Sequence, residues 1–242
     1  GYLALCNANL PDPAIDPNAG DNPGNHFNTV LYTGNGSTQD ITGVGFDPDM
    51  VWHKGRSVTY SHSIVDRIRG DSNVIFPDLN AAQQNPGDQL DLITDGAKVT
   101  YRSANLGNNQ SSATYVTWNW KAGGTGVTNN DGSIESTVSA NTDAGFSIAT
   151  YTGNNTAGAT VGHGLGAAPD WVLVKSTSNS ALSWIVGHKG VASDPWTDCL
   201  LLDQTAAVSD SPLFWNDTAP SSSVVTLGGG YLPVNGNGYT YV

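Results

Sequence analysis

The residues able to do chemistry are few in kind. The chain holds five His, two Cys and 21 acidic residues, and counting along it gives 20 Asp and the single Glu135. His26, His53, His62, His163 and His188 fall in no H-x3-H or HExxH spacing, so zinc ligation is not expected. Cys6 and Cys199 stand far apart and outside any CxxC pair. Two free thiols are the expected state, with one disulfide as the alternative. Hydrolysis of a glycoside requires two carboxylates flanking the bond. Asp47 and Asp49 bracket Pro48, but a turn before a strand uses the same residues as caps. No G-x-S-x-G elbow occurs. His163 lies in VGHGLG (161–166), whereas GVG at 43–45 has no imidazole, and a structural role is expected. The oxygen-rich NNDG (129–132) and the stretch from Asp16 to Asp21 would suit calcium. No EF-hand loop accompanies them, and turn formation accounts for both. Catalytic residues, metals and cofactors are thus not expected, with structural calcium as the disfavoured alternative.

Binding chemistry is the stronger candidate. Tryptophan beside Asp or Asn can stack on a sugar and hydrogen-bond its hydroxyls. Trp52 and Trp171 sit in strand-like segments and are expected in the cores, whereas Trp196 and Trp215 lie in less regular stretches. Trp196, Trp215, Asn216 and Asp217 therefore form the candidate glycan site, with packing as the competing use of both indoles. Lys54, Arg56, Arg67 and Arg69 hold four of the nine positive charges. They form a candidate interface for an acidic neighbour, against local pairing with Asp66 and Asp71.

The elements that position these residues are read from composition and period. Charged residues are only 12% of the 242, with 29 Gly and 12 Pro, and Asp replaces the Glu that helix surfaces prefer. An ordinary helical or α/β enzyme is therefore not expected. Short runs at 113–120, 146–151 and 171–175 are β-branched or aromatic and end at Gly, Asn or Pro, the signature of strands. In the first of these, Tyr115, Thr117 and Asn119 face one way and Val116, Trp118 and Trp120 the other. Residues 78–84 have the one helical pattern, with Asp78 as N-cap. The net charge of −12 opposes nucleic-acid binding, and no stretch approaches the ~20 apolar residues of a membrane span.

A repeat organises the chain. VLYTGNG (30–36) recurs as ATYTGNN (149–155), FDPDMVWHK (46–54) as AAPDWVLVK (167–175), and SIV (63–65) is matched at 184–186. Three matches in order with slowly drifting offsets indicate an internal duplication. The expected fold is all-β: two tandem β-sandwich domains, jelly-roll-like, at 27–122 and 145–242. A connector at 123–144 is partly strand, and a Pro-rich extended arm occupies 1–26. The closing GYTYV (238–242) parallels SATYV (112–116), which runs on into TWNWK, so the chain reads as a piece of a longer polypeptide.

These motifs also carry a resemblance. YTGNG, GFxPDxVWxK, WxWKAGG, VSANTxAGFSI, YTGN, VGHGLGxAPD, WNDTAP and a final YV occur at 31–37, 45–54, 118–124, 137–148, 151–154, 161–170, 214–220 and 239–242. In that order they resemble a family of bacteriophage virion proteins described as tail-fibre-like or structural. His53 stands where an Ile is usual, and Asn155 replaces a Gly. The resemblance implies a virion component at the particle surface that acts by assembly and by adhesion to the host. Its partners would be copies of itself, other virion proteins and host-surface glycans. Capsid decoration and a lectin-like carbohydrate-binding module are the alternatives.

Overall fold

The computed structural model describes residues 22–87, 89–101, 107–191 and 196–242. Most of the expected arm, together with Cys6 and the stretch from Asp16 to Asp21, lies outside them. The chain is all-β, with 17 strands and two one-turn helices among the described residues. Its first half contains β1 (Phe27–Thr33), β2 (Thr38–Ile41), β3 (Met50–Gly55), β4 (Ser63–Asp66), β5 (Leu90–Ile93), β6 (Gly96–Thr100) and β7 (Thr114–Trp120). These form two antiparallel sheets, ordered β1-β7-β3-β4 and β2-β6-β5. Val51 and Val65 from one sheet meet Ile41, Leu90, Leu92 and Val99 from the other in a common core. The strict alternation read along β7 is present: Tyr115, Thr117 and Asn119 are buried on the core face.

The second half contains β8 (Val127–Asn129), β9 (Ser136–Asn141), β10 (Phe146–Thr152), β11 (Ala159–Gly162), β12 (Trp171–Val174) and β13 (Ile185–His188). It continues through β14 (Asp198–Leu201), β15 (Ser209–Asp210), α1 (Pro212–Trp215), β16 (Val224–Leu227), α2 (Leu232–Asn235) and β17 (Thr240–Tyr241). The sheets are β17-β10-β9-β8, β11-β16 and β12-β13-β14-β15. The stretch 123–144, expected to be partly strand, supplies two strands, β8 and β9.

Where the sequences recur, the bonding recurs. Tyr32 on β1 pairs with Tyr115 on β7, and the rings stack with centroids 4.9 Å apart. Tyr151 on β10 pairs with Tyr241 on β17, and those rings stack at 5.0 Å. The Tyr115 hydroxyl donates to Gly107 O (2.6 Å) and accepts from Gln110 N (2.9 Å). The Tyr241 hydroxyl donates to Leu232 O and accepts from Gly236 N (2.7 Å). Asn109 and Asn235, both fully buried, receive the turn after each YTGN through their side-chain oxygens, from Asn35 N at 3.2 Å and Asn154 N at 2.9 Å. Glycine is required at the centre of each turn. A Cβ on Gly34 would lie 2.1 Å from Gln110 O, and one on Gly153 would lie 2.4 Å from Gly236 O.

One expected element is absent. Residues 78–84 are not helical: Gln84 bridges Val74, Gln83 N donates to Thr177 O, and the Asp78 carboxylate accepts from His62 N. A two-turn helix does not repay its nucleation cost, and these tertiary bonds satisfy the backbone instead. The same segment ties the halves together. Trp184 packs with Ile64 and Ile75 and donates from Nε1 to Phe76 O (2.8 Å), while Lys175 Nζ donates to Asn80 O (3.1 Å).

Candidate functional site

The predicted glycan platform is a piece of core. Trp215 is fully buried and Trp196 is 8% exposed; their rings meet edge-on at 5.8 Å, and Trp215 Nε1 donates to Asp198 O. The local sequence explains why. Ser211 caps α1 by accepting from Leu213 N, Pro212 opens it, and this single turn directs Phe214 and Trp215 inward and Leu213 outward. Gly187 completes the pocket, since a Cβ there would lie 2.7 Å from Trp196 and 2.8 Å from Trp215. Neither indole can stack on a ligand. Asn216 and Asp217 adopt left-handed backbone, with φ of 52° and 48°, and turn the chain away from the helix. The Ser-Pro pair ahead of Leu-Phe-Trp was the signal that these aromatics belong to a capped turn.

The basic cluster divides. Arg69 is buried; its Nε contacts Asp66 Oδ2 at 2.5 Å, and its other nitrogens reach the Asn73 and Ile64 carbonyls and Gln83 Oε1. Arg67 pairs with Asp49 at 2.7 Å and donates to Pro48 O. Both guanidiniums are engaged within the fold, with the Arg69 side chain buried and that of Arg67 35% exposed. Lys54 is half-buried and Arg56 exposed. Of the two acids expected as local partners, Asp66 pairs with Arg69, while Arg67 takes Asp49, which two further bonds hold beneath the guanidinium, from Ala122 N and Gly124 N.

The remaining sequence candidates are structural in the same way. Asp47 accepts from Asp95 N and Asp49 serves the pair just described, so both carboxylates brace turns. His163 Nε2 lies 3.2 Å from Ser221 O and its Nδ1 accepts from Leu165 N. Burial lowers its pKa, which favours the neutral ring these contacts use. Asn129 and Asp131 bond to each other in a turn, and among the described residues no three His, Cys, Asp or Glu side chains converge to hold a metal. Cys199 is buried and its thiol is pushed up to about 12 by desolvation and then by the Asp198 charge.

A groove between the halves has the geometry of a binding site. It encloses about 580 Å³. Met50, Trp52 and Trp120 line it from the first half, and Phe146, Ile148 and Trp171 from the second. Val161, Val225 and Leu227 close its depth against the second core, and His163 borders it. The ring of Trp120 stacks on Phe146 at 6.1 Å, joining the two walls. Trp171, expected in a core, is 56% exposed at this edge, so the tryptophan assignments are inverted: the irregular ones are buried and a strand one is open. Strand alternation could have located the groove, because Trp118 and Trp120 point away from the first core.

Lys175 was the residue sequence reasoning missed. It aligns with the half-buried Lys54, yet its side chain is fully buried, donating to Asn80 O and to Leu182 O (2.5 Å). Desolvation lowers its pKa to about 8, with the Asp203 charge opposing that shift.

The sequence profile of a family described as a domain of unknown function (DUF7483) matches residues 22–242, and the chain belongs to that family. No curated protein and no solved structure matches it.

Proposed function

We propose that this member of the DUF7483 family is a structural subunit of a bacteriophage virion, in a tail fibre or another surface appendage. It acts by assembly and, secondarily, by adhesion to the host surface. The run of motifs in fixed order from 31–37 to 239–242 carries this reading. Physical observations support it. Asp47, Asp49 and Asp66 are spent on turns and on arginine, which leaves the net charge of −12 as solvated skin and not as acidic machinery. The groove lined by Met50, Trp52 and Trp120 from one half and Phe146, Ile148 and Trp171 from the other is mostly apolar, suited to polypeptide and not to a polar metabolite. Its partners are then copies of the chain and other virion proteins, and the subunit carries out no reaction and needs no cofactor. Host glycans would have to meet side chains other than Trp196 and Trp215, which are buried.

The test is antibody labelling of purified particles from the phage whose genome encodes the chain. Gold at fibres or appendages is expected. Gold spread over the capsid shell would establish the decorating role instead, and a chain absent from washed particles would sink the virion reading altogether.

A further inference from the structure

The two halves are sealed differently on one side. In the second, the stretch 133–141 closes that side. Ile134 N donates to Thr160 O (3.0 Å) along the edge of β11, and β9 then pairs with β10 from Tyr151 back to Phe146. Because Gly153 N donates to Tyr239 O, the amides of Phe146, Ile148 and Thr150 turn the other way, toward Asn141, Ser139 and Thr137. Ile134, Ser136 and Val138 are buried, and Glu135 and Thr137 between them are exposed.

The matching side of the first half is open. Gly34 N donates to Ala113 O and Lys121 N to His26 O, so Phe27, Thr29 and Leu31 aim their amides away from β7. Among the described residues no strand pairs with that edge of β1, nor with the outer edge of β2. Thr29 N bonds its neighbour Asn28 Oδ1 instead (2.8 Å), while Phe27 and Leu31 are 41% and 59% exposed. β1 carries no charge and no proline, the usual protections of a bare edge.

The sequence before β1 holds a counterpart of 133–141. Ile15-Asp16, Asn22 and Phe27 stand 119 residues before Ile134-Glu135, Asn141 and Phe146, the same spacing that separates VLYTGNG from ATYTGNN. Ile15, Pro17 and Ala19 alternate with Asp16 and Asn18, the pattern of Ile134, Ser136 and Val138 with Glu135 and Thr137. Asn22 is extended (φ −94°, ψ 133°), and its side chain accepts from Gly24 N as that of Asn141 accepts from Ala144 N. The match stops at Ala14. Pro13 stands opposite Gly132, where a Cβ would lie 2.4 Å from Thr160 O.

We propose that this open side is a β-strand acceptor and that its occupant is residues 14–22 of the same chain. In the register of β9, Asn22, Gly20 and Asn18 meet Phe27, Thr29 and Leu31, and Thr29 N exchanges Asn28 for Gly20. Pro17 takes the place of Ser136, whose amide turns away from β10 toward β8, so its missing donor is not needed. The turn at Pro23–Asn25 makes this a loop of only four residues. Its closure costs little entropy, whereas a segment from another molecule loses the entropy of association as well. The inference stands on strand pairing and does not depend on the virion reading.

The test reads hydrogen exchange at the Phe27 and Leu31 amides in the full chain and in two proline variants. Gly20→Pro removes a donor that faces β1. Asp21→Pro lies at the place of Ala140, whose amide turns away from β10, and serves as the control. Exchange at both amides should be at least tenfold faster in Gly20→Pro than in the parent chain, and unchanged in Asp21→Pro. Phe146 and Ile148 should exchange alike in all three. Equal exchange in Gly20→Pro and the parent would overturn the proposal. So would equal acceleration by Asp21→Pro, which contradicts the register, or protection of the parent that fades on dilution. That last result would assign the edge to a segment of a second copy.

Discussion

The two halves use the same tyrosine closure and then diverge in everything attached to it. In the first, Asp49 at the head of β3 is 3% exposed, pairs with Arg67 and accepts two backbone amides. Its counterpart Asp170, at the head of β12, pairs with Lys189 where both side chains are about 60% exposed. His53 lies fully buried against Tyr32, and its counterpart is Val174. Lys54 reaches toward solvent, and Lys175 is buried at the seam. The shared part is backbone closure, which tolerates little change. The divergent part is what each half buries around it: Asp49 and His53 in the first, Lys175 in the second.

The closure glycines should give the largest effects, and should give them in both halves. Gly34→Ala drives a Cβ into Gln110 O and Gly153→Ala drives one into Gly236 O. Backbone cannot yield as a side-chain tip does, so each substitution should cost about 3 kcal/mol or more in chemical denaturation. A tolerant Gly153→Ala beside an intolerant Gly34→Ala would break the equivalence of the two closures.

The acid at the head of the strand should separate them. Asp49→Ala strands Arg67 and two amides, and should cost about 2–3 kcal/mol after allowance for the partial exposure of the guanidinium. Asp170→Ala should change stability by less than about 0.5 kcal/mol, as expected of an exposed pair. Comparable losses at the two positions would mean that Asp170 has a partner in solution.

How far the sequence revealed this contrast follows from which forces are local. The YTGN closures, the inward face of β7 and the all-β class were legible, because alternation and turn chemistry act over a few residues. The fate of Asp49 and Asp170 was not, since the same Pro-Asp dipeptide precedes both strands and only the tertiary position of Arg67 distinguishes them. Trp196 and Trp215 looked available because their segments lack a period; a one-turn helix and Gly187 bury them. Residues 78–84 carried a helical pattern that contacts with Thr177 and His62 overrode. Of the seam, alternation marked only the outward face of β7 with Trp120; that Trp171 is open and Lys175 buried depends on how the two halves meet.

Titration sharpens the contrast with the same sign in two separate pH windows, since stability rises with pH in each. Burial lowers the His53 pKa to about 3, with His62 and Lys54 adding to the shift, while its Nε2 lies 2.8 Å from the Tyr32 hydroxyl. The unfolded chain binds this proton near pH 6.5 and the folded chain does not. Stability is therefore full above 6.5 and falls by about 1.4 kcal/mol per pH unit as pH drops toward 3. His53→Val should flatten that limb. Lys175, lowered to about 8 from 10.5, makes stability rise over that alkaline interval at a similar slope, and Lys175→Met should abolish the rise. Denaturation midpoints measured across pH 4 to 10 check both limbs. An acid limb that survives His53→Val would move the origin to another buried imidazole, His163 first.

The smallest effect tests the shared element most directly. Tyr115→Phe and Tyr241→Phe each remove one hydroxyl that donates to a carbonyl and accepts from an amide five residues away in sequence. The rings remain stacked on Tyr32 and Tyr151, so only the polar contribution changes, about 1–2 kcal/mol at each site. If the closures are the same device, the two losses should agree within about 0.5 kcal/mol and add in the double variant, because the hydroxyls share no partner. A smaller loss at Tyr241 would have a specific physical meaning. It would show that the second closure is strained or frayed beside the groove between the halves.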